Sequence, residues 1–253
     1  MSNNAIANER VIVFGASGFL GSHVADALSS TGYQVRLFDR SASPHLKPDQ
    51  EMIIGDIMNL DQVIEAARDC SIVYNFAAIA DIDEAHNKPI PTVTINVLGN
   101  MHVLEAARIA GARRFVFASS VYVYSESGSF YRASKQAAER FTETYHERYG
   151  LDYNILRYGS LYGRRADKRN GIYRMLFEAV KNHSITYKGS GEAMREYIHV
   201  EDAARMSVQV LAPEFANRHL ILTGQEKMRI KDVMTMISEI LPWSVELHFD
   251  EAN

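Results

Sequence analysis

The sequence predicts an α/β protein: a doubly wound parallel sheet followed by a smaller C-terminal lobe. Short β-branched runs alternate with helix-length amphipathic segments along all 253 residues. Most of those runs are almost continuously apolar, as parallel strands covered on both faces are. A glycine-rich turn joins the first run to the first helix, where such sheets place their ligands. Strand–helix–strand succession of this kind closes by right-handed crossovers.

In order, strands are expected at 11–14, 35–38, 52–54, 72–76, 115–119, 153–158, 185–187 and 220–222, with another near 245–249. Helices are expected at 19–30, 60–67, 93–109, 133–149, 172–182, 201–211 and 230–241. Val93, Val97, Met101, Leu104 and Arg108 recur at three-to-four spacing, and Gly111 follows as a stop. No repeat, low-complexity run or linker interrupts the pattern, so a second domain has to come from the C-terminal third.

Composition narrows the class. Apolar residues make up 47% and charged residues 23%, which excludes a disordered or fibrous chain. A chain of this length buries a core without disulfide or metal support. The longest apolar stretch, 72–80, is far shorter than the ~20 residues that span a bilayer. The opening MSNNAIANER lacks the basic-then-apolar order of a signal peptide, and the single Cys70 cannot form an internal disulfide. A cytoplasmic protein with no membrane partner is expected. The net charge of −4 is spread along the chain, against a nucleic-acid surface.

Gly15-Ala-Ser17-Gly18-Phe19-Leu20-Gly21 follows the first strand and opens the first helix. The first glycine permits the tight turn, the second lets backbone approach a pyrophosphate, and the third allows close helix–strand packing. The helix start offers free N–H groups and partial positive charge to phosphate. Asp39 closes the second strand at the ~20-residue offset of a ribose-binding carboxylate. This is a Rossmann dinucleotide fingerprint. Asp39 favours NAD because a carboxylate repels a 2′-phosphate, while Arg40 offers such a phosphate a partner and keeps NADP open.

The GxxGxxG spacing resembles the extended short-chain dehydrogenase/reductase family, in its NAD-dependent nucleotide-sugar epimerase/dehydratase group, over about residues 10–240. The resemblance implies that Asp56 and Ile57 meet the adenine ring. By the same match Asn75-Phe76-Ala77-Ala78 lines the nicotinamide side, and Asn96 is the family's helix asparagine. Tyr131-Arg-Ala-Ser-Lys135 places tyrosine and lysine four apart, on one helix face. A phenol with pKa near 10 is a poor base at neutral pH, and a neighbouring ammonium, reinforced by the nicotinamide's positive charge, lowers it. In the family, this tyrosine takes a proton from a substrate hydroxyl while hydride leaves for the cofactor, and the lysine holds the nicotinamide ribose. Ser119-Ser120-Val-Tyr-Val-Tyr124 resembles the family's S-S-x-x-V-Y segment, which makes Ser120 the partner of the reacting hydroxyl and puts Ser119 beside the cofactor.

On the substrate side, Leu156-Arg-Tyr-Gly-Ser160-Leu-Tyr-Gly163 resembles L-R-Y-F-N-x-Y-G, with Ser160 in place of the phosphate-holding asparagine. Arg195-Glu-Tyr-Ile-His-Val-Glu-Asp202 resembles the family's R-D-F-x-H-V-x-D, and Arg195 is the expected diphosphate anchor, its alternative role being an ion pair with Glu192 or Glu196. His199 reads as a structural histidine, and the basic run Arg164, Arg165, Lys168, Arg169 as a solvated loop. Cys70 lies far from every motif.

Two departures stand out. Ser125 replaces the glycine after Val-Tyr, and only residues 126–130 separate it from Tyr131, where the family has a far longer segment. A more open pocket follows. The chain also ends soon after the strand near 249, where the family usually continues, implying a reduced lobe or a shortened chain.

The domain expectation is residues 1–160 as the dinucleotide-binding domain, with part of 185–225 returning to its core, and 161–253 as mostly substrate lobe. The implied activity is NAD(P)-dependent epimerisation of a nucleotide-diphosphate sugar through a keto intermediate, by a homodimer without metal. A 4,6-dehydratase lacks support, since Ser120-Val-Tyr stands where Thr-Asp-Glu is needed. A net reductase or dehydrogenase, or a non-catalytic NAD(P)-sensing protein, stays open.

Overall fold

A computed structural model describes residues 9–250. The polar opening stretch read above therefore lies, up to residue 8, outside the described residues. Strands β1 (Arg10–Phe14), β2 (Gln34–Asp39), β3 (Gln50–Ile54), β4 (Ile72–Asn75), β5 (Arg114–Ser120), β6 (Tyr153–Tyr158) and β10 (Arg218–Leu222) form one seven-stranded sheet. Its order is β10-β6-β5-β4-β1-β2-β3. The β1–β2, β2–β3, β1–β4, β4–β5 and β5–β6 pairs are all parallel. The order reverses between β1 and β4, and a doubly wound sheet binds its ligand in the crevice beyond that switch point.

The core follows the apolar runs. Ile12, Phe14, Val73, Phe115, Phe117 and Ile155 are buried on one face beneath the helices Leu60–Ala67, Asn100–Ile109 and Ser129–Tyr149. On the other face, Tyr74 donates its hydroxyl to the Ser207 carbonyl at 2.7 Å, and Tyr158 bonds the Ser207 hydroxyl at 2.6 Å.

The helix expected over 93–109 begins earlier and changes pitch. It runs as Pro89–Val93, a π-helical turn Thr94–Gly99, then Asn100–Ile109. Proline suits the first helical turn, where its missing N–H has no intrahelical partner. The helix expected from 133 starts at Ser129, and Tyr131 thus lies in its first turn. Gly128 at φ 106° and Ser129 at φ 44° make the abrupt turn into it, a backbone feature that side-chain periodicity does not signal. A short helix, Ile82–Asn87, was not anticipated; Asp81 caps it by accepting the Glu84 N–H at 2.8 Å.

The chain divides into two compact units, one comprising residues up to Tyr158 with Ala204–Ile221, the other Gly159–Ala203 with Leu222 onward. The second has its own core of Ala179, Ile185, Ile230, Val233, Met234 and Ile237. Its short strands β7 (Ser160–Tyr162), β9 (Met194–His199) and β11 (Lys227–Arg229) make one sheet, and β8 (Ser184–Lys188) pairs with β12 (Glu246–Asp250) in another. Of the expected strands in 185–225, only the last joins the large sheet.

Candidate active site

The glycine turn is held from both sides. Gly15 sits at φ +77°, and a Cβ there would lie 2.5 Å from the Ala77 nitrogen; one on Gly21 would lie 2.3 Å from the Gly15 carbonyl oxygen. Both glycines are therefore required by the protein's own close packing. Gly18 differs: it is the cap of the first helix, with no capping side chain and no acid in the first turn. The helix start keeps its donors and its partial positive charge for an anion. Asp39 fixes the loop, its Oδ2 accepting the Ser17 N–H at 2.9 Å and its Oδ1 the Arg40 N–H at 2.7 Å. Each carboxylate oxygen keeps a second lone pair for a ribose hydroxyl. Half-buried Phe19 and Leu20 and exposed Arg40 border this cradle. The donor set fits the diphosphate and ribose of a dinucleotide.

Around it, Asp56 is exposed and accepts the Met58 N–H at 2.9 Å, while Ile57 is buried against Gly99. Phe76 donates its N–H to the Phe14 carbonyl at 2.9 Å and stacks on Tyr74; Ala77 donates its own to the Asn75 side chain at 3.1 Å. Ala78 is half-buried beyond it. Asn96 is buried on the π-helical turn. Its Oδ1 accepts the Ile79 N–H at 2.8 Å, and its Nδ2 donates to the Ile79 carbonyl and the Ser134 hydroxyl, both at 3.0 Å. These bonds tie the loop after β4 to the helix that carries Tyr131 and Lys135.

Three consecutive residues at the end of β5 each hold one side chain of that helix. The Ala118 carbonyl accepts the Lys135 ammonium at 2.6 Å. Ser119 donates its hydroxyl to Glu139 at 2.5 Å. Ser120 hydrogen-bonds Tyr131 and accepts the Tyr122 N–H at 3.2 Å. Tyr131, Lys135 and Glu139 thus form one buried stripe at four-residue spacing.

Burial dominates the electrostatics. It pushes the Tyr131 phenol up to about 12, against the opposing effect of the Ser120 hydrogen bond. It pulls the Lys135 ammonium down to about 8, with the Glu139 charge acting the other way. Lys135 Nζ lies 4.8 Å from the Phe117 ring centre and 5.8 Å from that of Tyr131. Without the nicotinamide charge that the expectation also invokes, burial keeps the phenol neutral.

Sequence reasoning missed Glu139 and Arg157. Arg157 donates to Glu139 through Nε at 3.0 Å and Nη2 at 2.6 Å, and its guanidinium lies over the Tyr124 ring at 4.8 Å. The available signal was Glu139 one turn beyond Lys135.

In the second unit, Ser160 starts β7, paired with Tyr197, and Arg195 lies half-buried in β9, its Nη1 donating to the Met194 carbonyl at 2.9 Å. Lys231 and Arg229 engage Glu192, and Lys227 engages Glu196 at 3.1 Å. His199 packs edge-on against Tyr162, as a structural histidine. Arg164 pairs with Glu201 and Arg169 with Asp167, both at 2.6 Å on exposed side chains.

A doubly wound sheet with a phosphate cradle and a buried Ser–Tyr–Lys cluster defines a dinucleotide-dependent enzyme of the extended short-chain dehydrogenase/reductase type. The sequence model of the NAD dependent epimerase/dehydratase family matches residues 11–221, and the chain belongs to that family. A putative UDP-glucose 4-epimerase of Methanocaldococcus jannaschii is 30% identical over 223 residues, covering 79% of this chain and 73% of that one. The structure of Thermus thermophilus UDP-glucose 4-epimerase in complex with NAD superposes with a TM-score of 0.85 at 26% identity, covering 94% of this chain and 85% of that one. The fold also matches Thermotoga maritima UDP-glucose 4-epimerase with UDP-glucose, at TM-score 0.90 and 22% identity over 96% of this chain and 86% of that one.

Proposed function

We propose that the chain is an NAD-dependent nucleotide-sugar epimerase, acting on a UDP-sugar at C4 as the names of its relatives suggest. The observation that carries this reading is the β5 terminus, where Ala118 and Ser120 hold Lys135 and Tyr131 on one helix face. Bound NAD supplies the hydride acceptor and, when oxidised, a positively charged ring. Tyr131 takes the proton of the sugar hydroxyl, and Ser120 hydrogen-bonds the same oxygen. Lys135 has three donors and spends one on Ala118, leaving two for the nicotinamide ribose. Burial favours the neutral phenol, so Tyr131 would act as base only with the added positive charge of oxidised cofactor. When hydride returns to the other face of the keto sugar, Tyr131 would give the proton back to the same oxygen.

Asp39 and the glycine turn hold the dinucleotide, with Asp56, Ile57, Phe76, Ala77, Ala78, Asn96 and Ser119 around it. Ser160 and Arg195 serve the nucleotide diphosphate from the second unit, the substrate lobe in this reading. The protein works in the cytoplasm as a homodimer. The test is purified protein with NAD and a panel of UDP-, GDP-, CDP- and dTDP-sugars. Interconversion of a UDP-sugar with its C4 epimer supports the reading, and absence of turnover of every sugar despite bound NAD overturns it.

A second reading, a non-catalytic NAD-sensing protein, draws on the short 126–130 segment before Tyr131 and on Ser160 in place of the family's asparagine. Tyr131→Phe separates the two: catalysis predicts loss of turnover by about 10²–10⁴-fold with NAD binding retained.

A further inference from the structure

We propose that Tyr122 is a specificity-determining residue: its ring, seated beside Tyr131 on the shortened 126–130 segment, walls the sugar site and limits the bulk of the sugar accepted. The proposal rests on the epimerase reading above and deepens it.

Tyr122 lies on the tight helical turn Val121–Tyr124 that leaves β5. Ser120 caps this turn: its Oγ accepts the Tyr122 N–H at 3.2 Å, and the same side chain hydrogen-bonds Tyr131. The Tyr122 ring meets the Tyr131 ring edge-on, with centres 6.4 Å apart and planes at 80°. Such a separation is within the range at which aromatic rings touch. Tyr122 is therefore fixed, by its backbone and by its ring, to the two groups that hold the reacting sugar oxygen in the epimerase reading. Its ring is only half-buried. A sugar placed with that oxygen on Ser120 and Tyr131 has the ring as its neighbour.

The short segment is shaped around this ring. The Ser125 N–H donates to the Tyr122 carbonyl at 3.0 Å. Ser125 then holds the turn, its Oγ accepting the Ser127 N–H at 3.0 Å and its carbonyl accepting Arg132 Nη1 at 2.5 Å. Gly128 follows at φ +106°, and a Cβ there would lie 3.2 Å from Tyr122 Cδ1 and 3.2 Å from Arg132 Cβ. The main chain thus lies directly against the ring, in a conformation and at a distance that suit glycine. A tyrosine has few rotatable bonds and offers rigid contact area at small entropic cost. One held ring can therefore do what a long loop does only after being ordered.

A ring that merely supported the turn would affect stability and leave substrate preference alone. The test compares wild type with Tyr122→Ala, each with NAD, on UDP-glucose, UDP-glucuronate and UDP-N-acetylglucosamine. In Tyr122→Ala, kcat/KM for at least one of the two substituted sugars is expected to rise about tenfold or more relative to UDP-glucose, with NAD affinity changed less than about twofold. Both ratios rising by less than about threefold in a folded, NAD-binding variant overturns the proposal. Should Tyr122→Ala fail to fold, Tyr122→Leu keeps apolar bulk over Gly128 while shortening the wall. It is expected to shift the ratio the same way by about threefold or more, and an unchanged ratio there overturns the proposal equally. Isothermal titration of the same sugars into the NAD-loaded proteins reads the wall without turnover. A binding preference that shifts on truncation, in a protein that turns over none of these sugars, would defeat the epimerase reading and leave the wall standing. Turnover with an unshifted preference defeats the wall alone, and a protein that neither binds nor turns over any of the three overturns both.

Discussion

The Lys135 ammonium is bonded to the Ala118 carbonyl at 2.6 Å, while the Tyr131 ring centre lies 5.8 Å away. A main-chain acceptor thus holds the cation against the strand. The phenol, deep in the same site and pushed up to about 12, keeps its proton until further positive charge arrives. The helix holds an acid and a cation in one buried stripe, and in the proposed reaction the positive charge of bound cofactor would make the acid a base.

That arrangement predicts a titration. In the cofactor-free protein, ultraviolet difference spectra should show no ionisation of Tyr131 below about pH 11, judged by subtracting Tyr131→Phe, because its midpoint lies near 12. Because the folded midpoint lies above the free value of 10, burial of the neutral phenol contributes stability below pH 10. That contribution is lost as pH rises towards 12. With NAD bound, the same signal should move to lower pH.

Lys135→Met separates stability from function. The ammonium is 95% removed from solvent at the residue level, being 5% exposed, and its midpoint is depressed to about 8. The cationic form therefore costs the fold stability at every pH below about 8, and that cost fades as pH rises from 8 towards the free value of 10.5. At pH 7 the variant should gain on the order of 1–3 kcal/mol by denaturant melts, part of the gain being offset by the stranded Ala118 carbonyl. Epimerase activity should fall about 10²-fold or more.

Gly21→Ala should be poorly tolerated for a reason internal to the fold. The added methyl would stand 2.3 Å from the Gly15 carbonyl oxygen, which is backbone and cannot step aside. A shift of the first helix away from its turn follows, with a loss of about 2–4 kcal/mol and a weakened grip on NAD. Thermal melts with and without NAD, together with fluorescence titration, measure both.

The dinucleotide half of the site was legible in the sequence because its requirements are local. Gly15, Gly18, Gly21 and Asp39 lie at fixed offsets within one strand–turn–helix–strand unit. The Glu139–Arg157–His219 network was not legible, because its members sit on α-helix, β6 and β10 and meet only through strand order. The helix start at Ser129 was hidden for another reason. Two residues at positive φ, one of them not glycine, set it, and no periodicity reports that. Asn96 was singled out by its motif, while its bonds to Ile79 and Ser134 from the π-helical turn Thr94–Gly99 are not signalled by that motif.

The homodimer proposal yields the last prediction. The helices Asn100–Ile109 and Ser129–Tyr149 pack together, with the Tyr145 hydroxyl donating to Glu105 at 3.1 Å and Arg108 lying over the Tyr149 ring at 5.2 Å. On this pair and on the helix Pro89–Val93 and turn Thr94–Gly99 before it, Val93, Leu98, Ile109, Phe141 and Tyr149 stay exposed. Large apolar side chains left in water on neighbouring helices favour burial against a second copy, each contributing roughly 1.5–3 kcal/mol when fully covered. Phe141→Glu should therefore yield monomers in light scattering at micromolar concentration while keeping the monomer fold, since the side chain lies outside the core. A wild-type mass of about 28.5 kDa at the same concentration would remove the dimer from the proposal.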